Sequence, residues 1–227
     1  MMQVKLLNWT PEPENTVATA ARLCYSDATI MELADKMQGA EAAKLVAKLV
    51  AMGHFSPLEH VSFTFGVQGV SRTLTHQLVR HRIASYSQKS QRYVKEDHFD
   101  FVIPPSIANN PVAREKYLQV MEDIQQAYTQ LAAVVEKEDA RYILPNACHT
   151  SIIITMNSRS LLNFFEHRCC SRAQWEIRQL AWKMLALVRE QAPTIFTHAG
   201  ARCDVDGTCP EGFMSCGRWK KGKKDCV

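Results

Sequence analysis

The sequence has no apolar run long enough to span a bilayer, which argues against a helical membrane protein. Its first residues, "MMQVKLLNWTPEPEN", carry one early lysine and no apolar core, so they do not read as a secretion signal. A cytoplasmic protein is expected. No large charge imbalance exists: 27 basic against 23 acidic side chains leave +4, too little by itself to mark a nucleic-acid binder. No internal repeat occurs. No GxGxxG follows a strand and no Walker lysine loop is present, so a dinucleotide would have to bind without a Rossmann phosphate turn. The cysteines match no ordinary zinc spacing.

What is present fits a globular enzyme-sized chain. At 227 residues, folding buries roughly 70% of the chain's surface, so a core forms without staples. In a reducing compartment the eight cysteines need a reading other than disulfides, and Cys24, Cys148, Cys169 and Cys170 read as small buried hydrophobes.

Residues 3–8 predict a short strand. Residues 15–25 predict a helix capped by Asn15 or Thr16, and 40–52 a second one ended by Gly53. In "HVSFTFGV" Val61, Phe63, Phe65 and Val67 alternate with small and polar residues, the pattern of a half-buried strand. Ser71 caps a helix running to about His81, with Leu74, Leu78 and Val79 inward, and a loop follows. The 3.6-residue period over 111–137 predicts a long helix that includes Val134 and Val135. A short helix is expected around 138–144, a buried strand at "TSIIITM", and further helices at 159–168 and 172–190. After Gly200 the periodicity stops. We therefore expect an α+β fold, with an antiparallel or mixed sheet packed against several long helices, not a Rossmann fold. Residues 1–200 form its domain and 201–227 a Cys/Gly/Lys-rich tail, expected to be dispensable and free of zinc.

Two basic stretches carry the chemistry. "RHRIASYSQKSQR", residues 80–92, packs four cations, a histidine and three serines into thirteen residues. Guanidiniums pair with phosphate in bidentate fashion, and hydroxyls and loop N–H groups complete an anion pocket. A solvated helix end is the alternative reading. The second set is Arg141, Arg159 and Arg168, with Asn157, Ser158 and Asn163 where a strand runs into a helix. Helix N-termini attract anions, although Asn157 and Ser158 can also be plain caps. A metal at His54, Ser56, Glu59 and His60 is not expected. Tyr86 and Tyr93 flank the first stretch, but the aromatics mostly follow core periodicity, so RNA binding is not favoured.

"RHRIASYSQKS" is arginine, histidine, arginine, seven residues, then serine, and it resembles the signature of flavin-dependent thymidylate synthases. "GHFSPLEHVSFTF", "ARYILP" and "NSRSLLNFFEHRCCSRAQWEIRQLA" resemble the family too, in the family's order. The resemblance implies an FAD enzyme that makes dTMP from dUMP with methylenetetrahydrofolate and NADPH. It implies a homotetramer with active sites between subunits, and neither nucleic-acid nor membrane partners. It places Ser56, Arg80, His81, Arg82, Gln88, Asn157, Ser158, Arg159 and Asn163 at FAD positions. Gln77, Leu78, Val79, Arg80, Gln88, Lys89, Ser90, Gln91, Arg92 and Arg141 fall at dUMP positions, Ser90 as a phosphate ligand rather than a nucleophile. In the family these dUMP residues come from a different subunit than the FAD residues. Arg168 corresponds to the arginine facing the uracil ring, and His54 to a histidine near the flavin and folate pocket. No cysteine nucleophile is implied; an arginine would stabilise charge on the uracil instead.

Overall fold

The computed structural model describes residues 1–91 and 99–220. In chain order its elements are β1 (Gln3–Trp9), α1 (Pro13–Leu23), α2 (Ile30–Lys36), α3 (Gly39–Ala51), β2 (Ser62–Ser71), α4 (Arg72–Leu78) and β3 (Ser85–Gln88). There follow α5 (Pro105–Ala108), α6 (Pro111–Ala132), α7 (Lys137–Ala140), β4 (His149–Asn157), α8 (Ser158–Arg168), α9 (Trp175–Gln191), α10 (Pro193–Phe196) and α11 (Arg202–Val205). The strands pair in the order β1-β2-β4-β3. Bonds from Ser158 N–H to the Val61 carbonyl and between the hydroxyls of Thr64 and Thr155 show that β2 and β4 run antiparallel. This is the expected α+β architecture.

The chain divides into two compact units. One contains Met1–Gln3, Val67–Arg80 and Tyr86–Ile153; the other contains Val4–Gly66, His81–Ser85 and Ile154–Val227. In the first unit, Phe99, Met121 and Cys148 form a small core, with Phe101 and Tyr117 packed against it. In the second, Phe63 of β2 meets Phe196 of α10, and Phe165 of α8 meets Phe196 as well. Phe63, Phe165 and Phe196 are fully buried and stack edge to face, with ring centroids 5.6 and 6.0 Å apart across Phe196. Such pairs add about 0.5–1.5 kcal/mol each beyond the area they bury.

Several boundaries differ from the sequence expectation. Helix α1 starts at Pro13, ahead of the expected cap, because proline suits a first helical position where no N–H is needed. Its N-cap residue, Glu12, sits in the left-handed region at φ 45°. Cys24, past the end of α1, is exposed rather than buried. Helix α4 does begin at Ser71, whose hydroxyl accepts from Leu74 N–H, but it stops at Leu78. The reason is local: the Tyr86 hydroxyl donates to the Leu78 carbonyl at 2.9 Å, and Val79, expected inward, is exposed. What was expected as loop after α4 includes β3. Helix α6 ends at Ala132, which leaves Val134 and Val135 exposed. Helix α2 was not expected, although Thr29 and Glu32 close a full capping box on it.

The described part of the C-terminal segment is tied to the second unit. Arg202 pairs with Glu166 of α8 at 3.0 Å and Arg172 with Glu211 at 3.0 Å, while Arg218 pairs with Asp204 at 2.7 Å within the segment itself. Among the described residues, no helix is long and apolar enough to cross a membrane.

Candidate active site

The second unit holds Arg168 and most of the residues at expected flavin positions. Arg168 is the last residue of α8, and its Nε donates to His81 Nε2 at 2.9 Å. That acceptor exists only while the imidazole is neutral at Nε2. Burial, then the charge of Arg168, then that of His167, pull the His81 pKa down to about 4, so the ring is neutral across the physiological range. Burial also lowers the pKa of Arg168 from its ordinary value, yet guanidinium stays protonated. His81 is fixed from its other side by Phe164, edge to face at 5.0 Å. Phe164 in turn meets Phe165 at 5.7 Å, and Phe165 meets Phe196. An unbroken run of core aromatics therefore ends on the imidazole that holds Arg168.

At the other end of α8, Asn157 caps the helix through Oδ1, which accepts from Ser160 N–H at 2.8 Å. Its amide nitrogen has no partner among the described residues. Ser158 is fully buried, and its N–H and hydroxyl both point to the Val61 carbonyl. It anchors the start of α8 to β2 and presents no side-chain surface to a ligand. Asn163 and Ser56 are exposed, as is Arg82, which makes no ion pair among the described residues. Arg159 is engaged by Glu59. His54 is exposed just past α3. This donor set fits a dinucleotide: an uncommitted guanidinium for phosphate, with amides and hydroxyls for sugar and base edges. Cys169, next to Arg168, is fully buried, and burial raises its thiol pKa to about 12. It is not poised to form a thiolate.

The first unit collects the residues at expected dUMP positions. Gln88 is held by its amide nitrogen, which donates to the hydroxyls of Thr75 at 3.0 Å and Thr150 at 3.2 Å. Its Oε1 is left to accept. The Lys89 backbone is pinned on both sides: its N–H donates to the Ser151 carbonyl and its carbonyl accepts from Arg72. The Lys89 side chain is exposed, and Ser90 and Gln91 follow, half-buried. Gln77 bonds back to the Thr73 carbonyl, and Arg80 is exposed. Leu78 is fully buried, so it takes part through its backbone or not at all. Arg141 donates Nε to the Glu138 carbonyl at 3.1 Å, which fixes one edge of its guanidinium against its own helical turn. Arg92 lies outside the described residues.

Several supporting residues had no sequence signal of their own. Phe164 looked like an ordinary helix position, and Glu59 stood out only as part of a metal set that is not expected. Thr75 and Thr150, which hold Gln88, lie 75 residues apart in sequence. Only Thr150 stood in a segment already read as an inward-facing strand. Among the described residues, no cluster of three or more His, Cys, Asp or Glu is arranged to hold a metal.

An α+β protein with separate arginine- and amide-rich sets is of the nucleotide-handling class. Residues 5–194 match the family of thymidylate synthase complementing proteins. The flavin-dependent thymidylate synthase of Clostridium tetani is 51% identical, with 98% of this chain and 96% of that protein aligned. Those of Geobacter sulfurreducens and Pyrococcus furiosus are 50% and 43% identical, over 98% and 99% of this chain and 97% and 96% of theirs. The chain belongs to this family of flavin-dependent enzymes.

Proposed function

We propose that this protein converts dUMP to dTMP, taking the one-carbon unit from methylenetetrahydrofolate and its electrons from NADPH through FAD. The observation that supports this reading best is the Arg168–His81 contact. Uracil C5 is a weak nucleophile, and it becomes a better one when the ring carries negative charge. A guanidinium facing the ring stabilises that charge, provided it is already oriented before the charge appears. His81 supplies the orientation: it takes the Nε hydrogen of Arg168, and the two terminal nitrogens remain for the substrate. The thiol of Cys169 is raised too far to attack C6, so a covalent route through it is disfavoured.

Arg82, Asn157, Asn163 and Ser56 would hold FAD, with Arg159 released from or shared with Glu59. Bound there, FAD supplies the two-electron reduction that turns a transferred methylene into a methyl group. Gln88, the Lys89–Gln91 backbone, Arg92 and Arg141 would hold dUMP, with cations on its phosphate and the Gln88 Oε1 as a directional acceptor. Most residues at flavin positions fall in one unit of the chain and those at the dUMP phosphate and base in the other, with Arg80 and Gln88 common to both sets, which fits a tetramer in which each site draws its dUMP residues from a neighbouring subunit. We place the enzyme in the cytoplasm.

Arg168→Ala should lose roughly 10²–10³ in turnover, the worth of one such electrostatic donor, while flavin binding persists. Turnover near wild type would sink the role. Co-expression of Arg168→Ala with Arg92→Ala should yield hybrid oligomers with partial activity. Demonstrated hybrids without recovered activity would mean that each site is built from one chain.

A further inference from the structure

We propose that the cleft between the C-terminal ends of α1 and α3 is the seat of the aminobenzoyl-glutamate tail of the folate co-substrate. The proposal rests on the functional reading above and assigns a place to a part of the substrate that the dUMP and flavin residue sets leave unattended. The cleft has a volume of about 280 Å³. That is near the lower bound of about 300 Å³ for small-molecule sites, right for a fragment rather than a whole dinucleotide. Its floor is apolar, from Leu45 and Leu49, and Tyr25 and Met52 stand at its rim.

Those rim residues are unusual for a finished surface. Tyr25 is 83% exposed and Met52 50%, both beside a concave apolar floor. A flat aromatic amide laid on that floor would cover them and stack on the phenol ring. The polar part of the lining is of one sign. Arg22 and Lys48 face the cleft, no acidic side chain lines it, and neither cation makes an ion pair among the described residues. Arg22 lies in the last turn of α1 and Lys48 in the last turn of α3. Helix dipoles alone explain basic residues at such places. They do not explain an apolar floor, an exposed tyrosine and an exposed methionine gathered between them.

An aromatic body with carboxylates at one end is the complement of this lining. A nucleotide would need bidentate phosphate donors and hydrogen-bonding partners for a base, and the cleft offers few. His54, at the expected flavin and folate position, also borders the cleft, so a folate whose pterin lies near His54 can extend its tail inward. Each added γ-glutamate brings another carboxylate toward Arg22 and Lys48, so longer tails should bind more tightly.

The test uses flavin-loaded protein and calorimetric titration with p-aminobenzoyl-glutamate carrying one or three glutamates. Wild type should bind the triglutamate more tightly, and added salt should weaken it. Arg22→Gln with Lys48→Gln should weaken the triglutamate about tenfold, the combined worth of two exposed ion pairs, with dUMP affinity unchanged. Tyr25→Ala should weaken both probes alike, and it decides the matter if the double variant loses flavin. Wild-type protein that binds neither probe, or variants that bind both as wild type does, would overturn the proposal. Because the readout is binding, the two readings fail separately. Normal dTMP synthesis with unaltered probe binding in the variants removes the cleft alone. Probe binding by a protein that makes no dTMP removes the functional reading alone.

Discussion

Replacing His81 by phenylalanine keeps a ring against Phe164 and deletes the acceptor that holds Arg168. In the structure that acceptor takes a 2.9 Å bond from a partly buried cation. A hydrogen bond to a charged group is worth about 1.5–3 kcal/mol net, and each 1.4 kcal/mol is tenfold. If the bond's role is to aim Arg168, kcat/KM for dTMP formation should fall by about 10- to 150-fold, less than on removing Arg168 itself. The informative assay is the double-mutant cycle, run at saturating FAD so that flavin occupancy does not enter. A positioning residue has no separate task once its client is gone, so His81→Phe added to Arg168→Ala should cost little more than Arg168→Ala alone. Additive losses would refute the reasoning and assign His81 its own contact with flavin. Wild-type turnover in the single variant would refute it more simply.

Two further outcomes follow from the same neighbourhood. His81 has a folded pKa near 4, below the usual value near 6.5, so between those limits the unfolded chain binds the extra proton. Its contribution to stability is therefore full above about 6.5 and is lost as pH falls toward 4; the acid-side fall in Tm should be shallower in His81→Phe, and identical slopes would contradict the assignment. Tyr86→Phe removes the donor to the Leu78 carbonyl and should cost about 0.5–1.5 kcal/mol in denaturant unfolding, with weaker dUMP binding because residues 79–85 lose their anchor; unchanged stability and affinity would show that the anchor is idle.

The sequence made local periodicity readable and left long-range pairing hidden. The alternation of Phe63, Phe65 and Val67 announced β2, and all three are buried. Ser71 announced the start of α4, because an N-cap is a contact between near neighbours. The end of α4 was not readable, since a tyrosine eight residues on decides it. Val134 and Val135 kept the helical period but lie past the helix end, and both are exposed among the described residues. Helix α2 was readable and missed: Thr29 and Glu32 are spaced for a capping box, but the helix is seven residues long and buries only Leu33. At the site, family motifs marked Arg168 and His81 separately. Their bond joins positions 87 residues apart, and no composition or spacing rule predicts it. The burial of Ser158 was likewise hidden, because a serine at a helix start reads the same whether it faces a ligand or a neighbouring strand.

The C-terminal segment gives ionic strength a handle on the rigidity of the site. Arg168 closes α8, and the chain around it is fastened by Arg202 to Glu166 and by Arg172 to Glu211, pairs that are roughly half exposed. Exposed pairs contribute about 0–1 kcal/mol each and weaken as the Debye length shrinks from about 10 Å at 0.1 M salt to about 3 Å at 1 M. The Arg218–Asp204 pair is mostly buried and is shielded from that effect. Raising salt should therefore loosen the strap before it touches the aromatic core, and amide exchange in residues 166–172 should accelerate while β2 and β4 stay protected. The enzyme's tolerance of salt would then be set at the last turn of one helix, by the two ion pairs of Arg202 and Arg172.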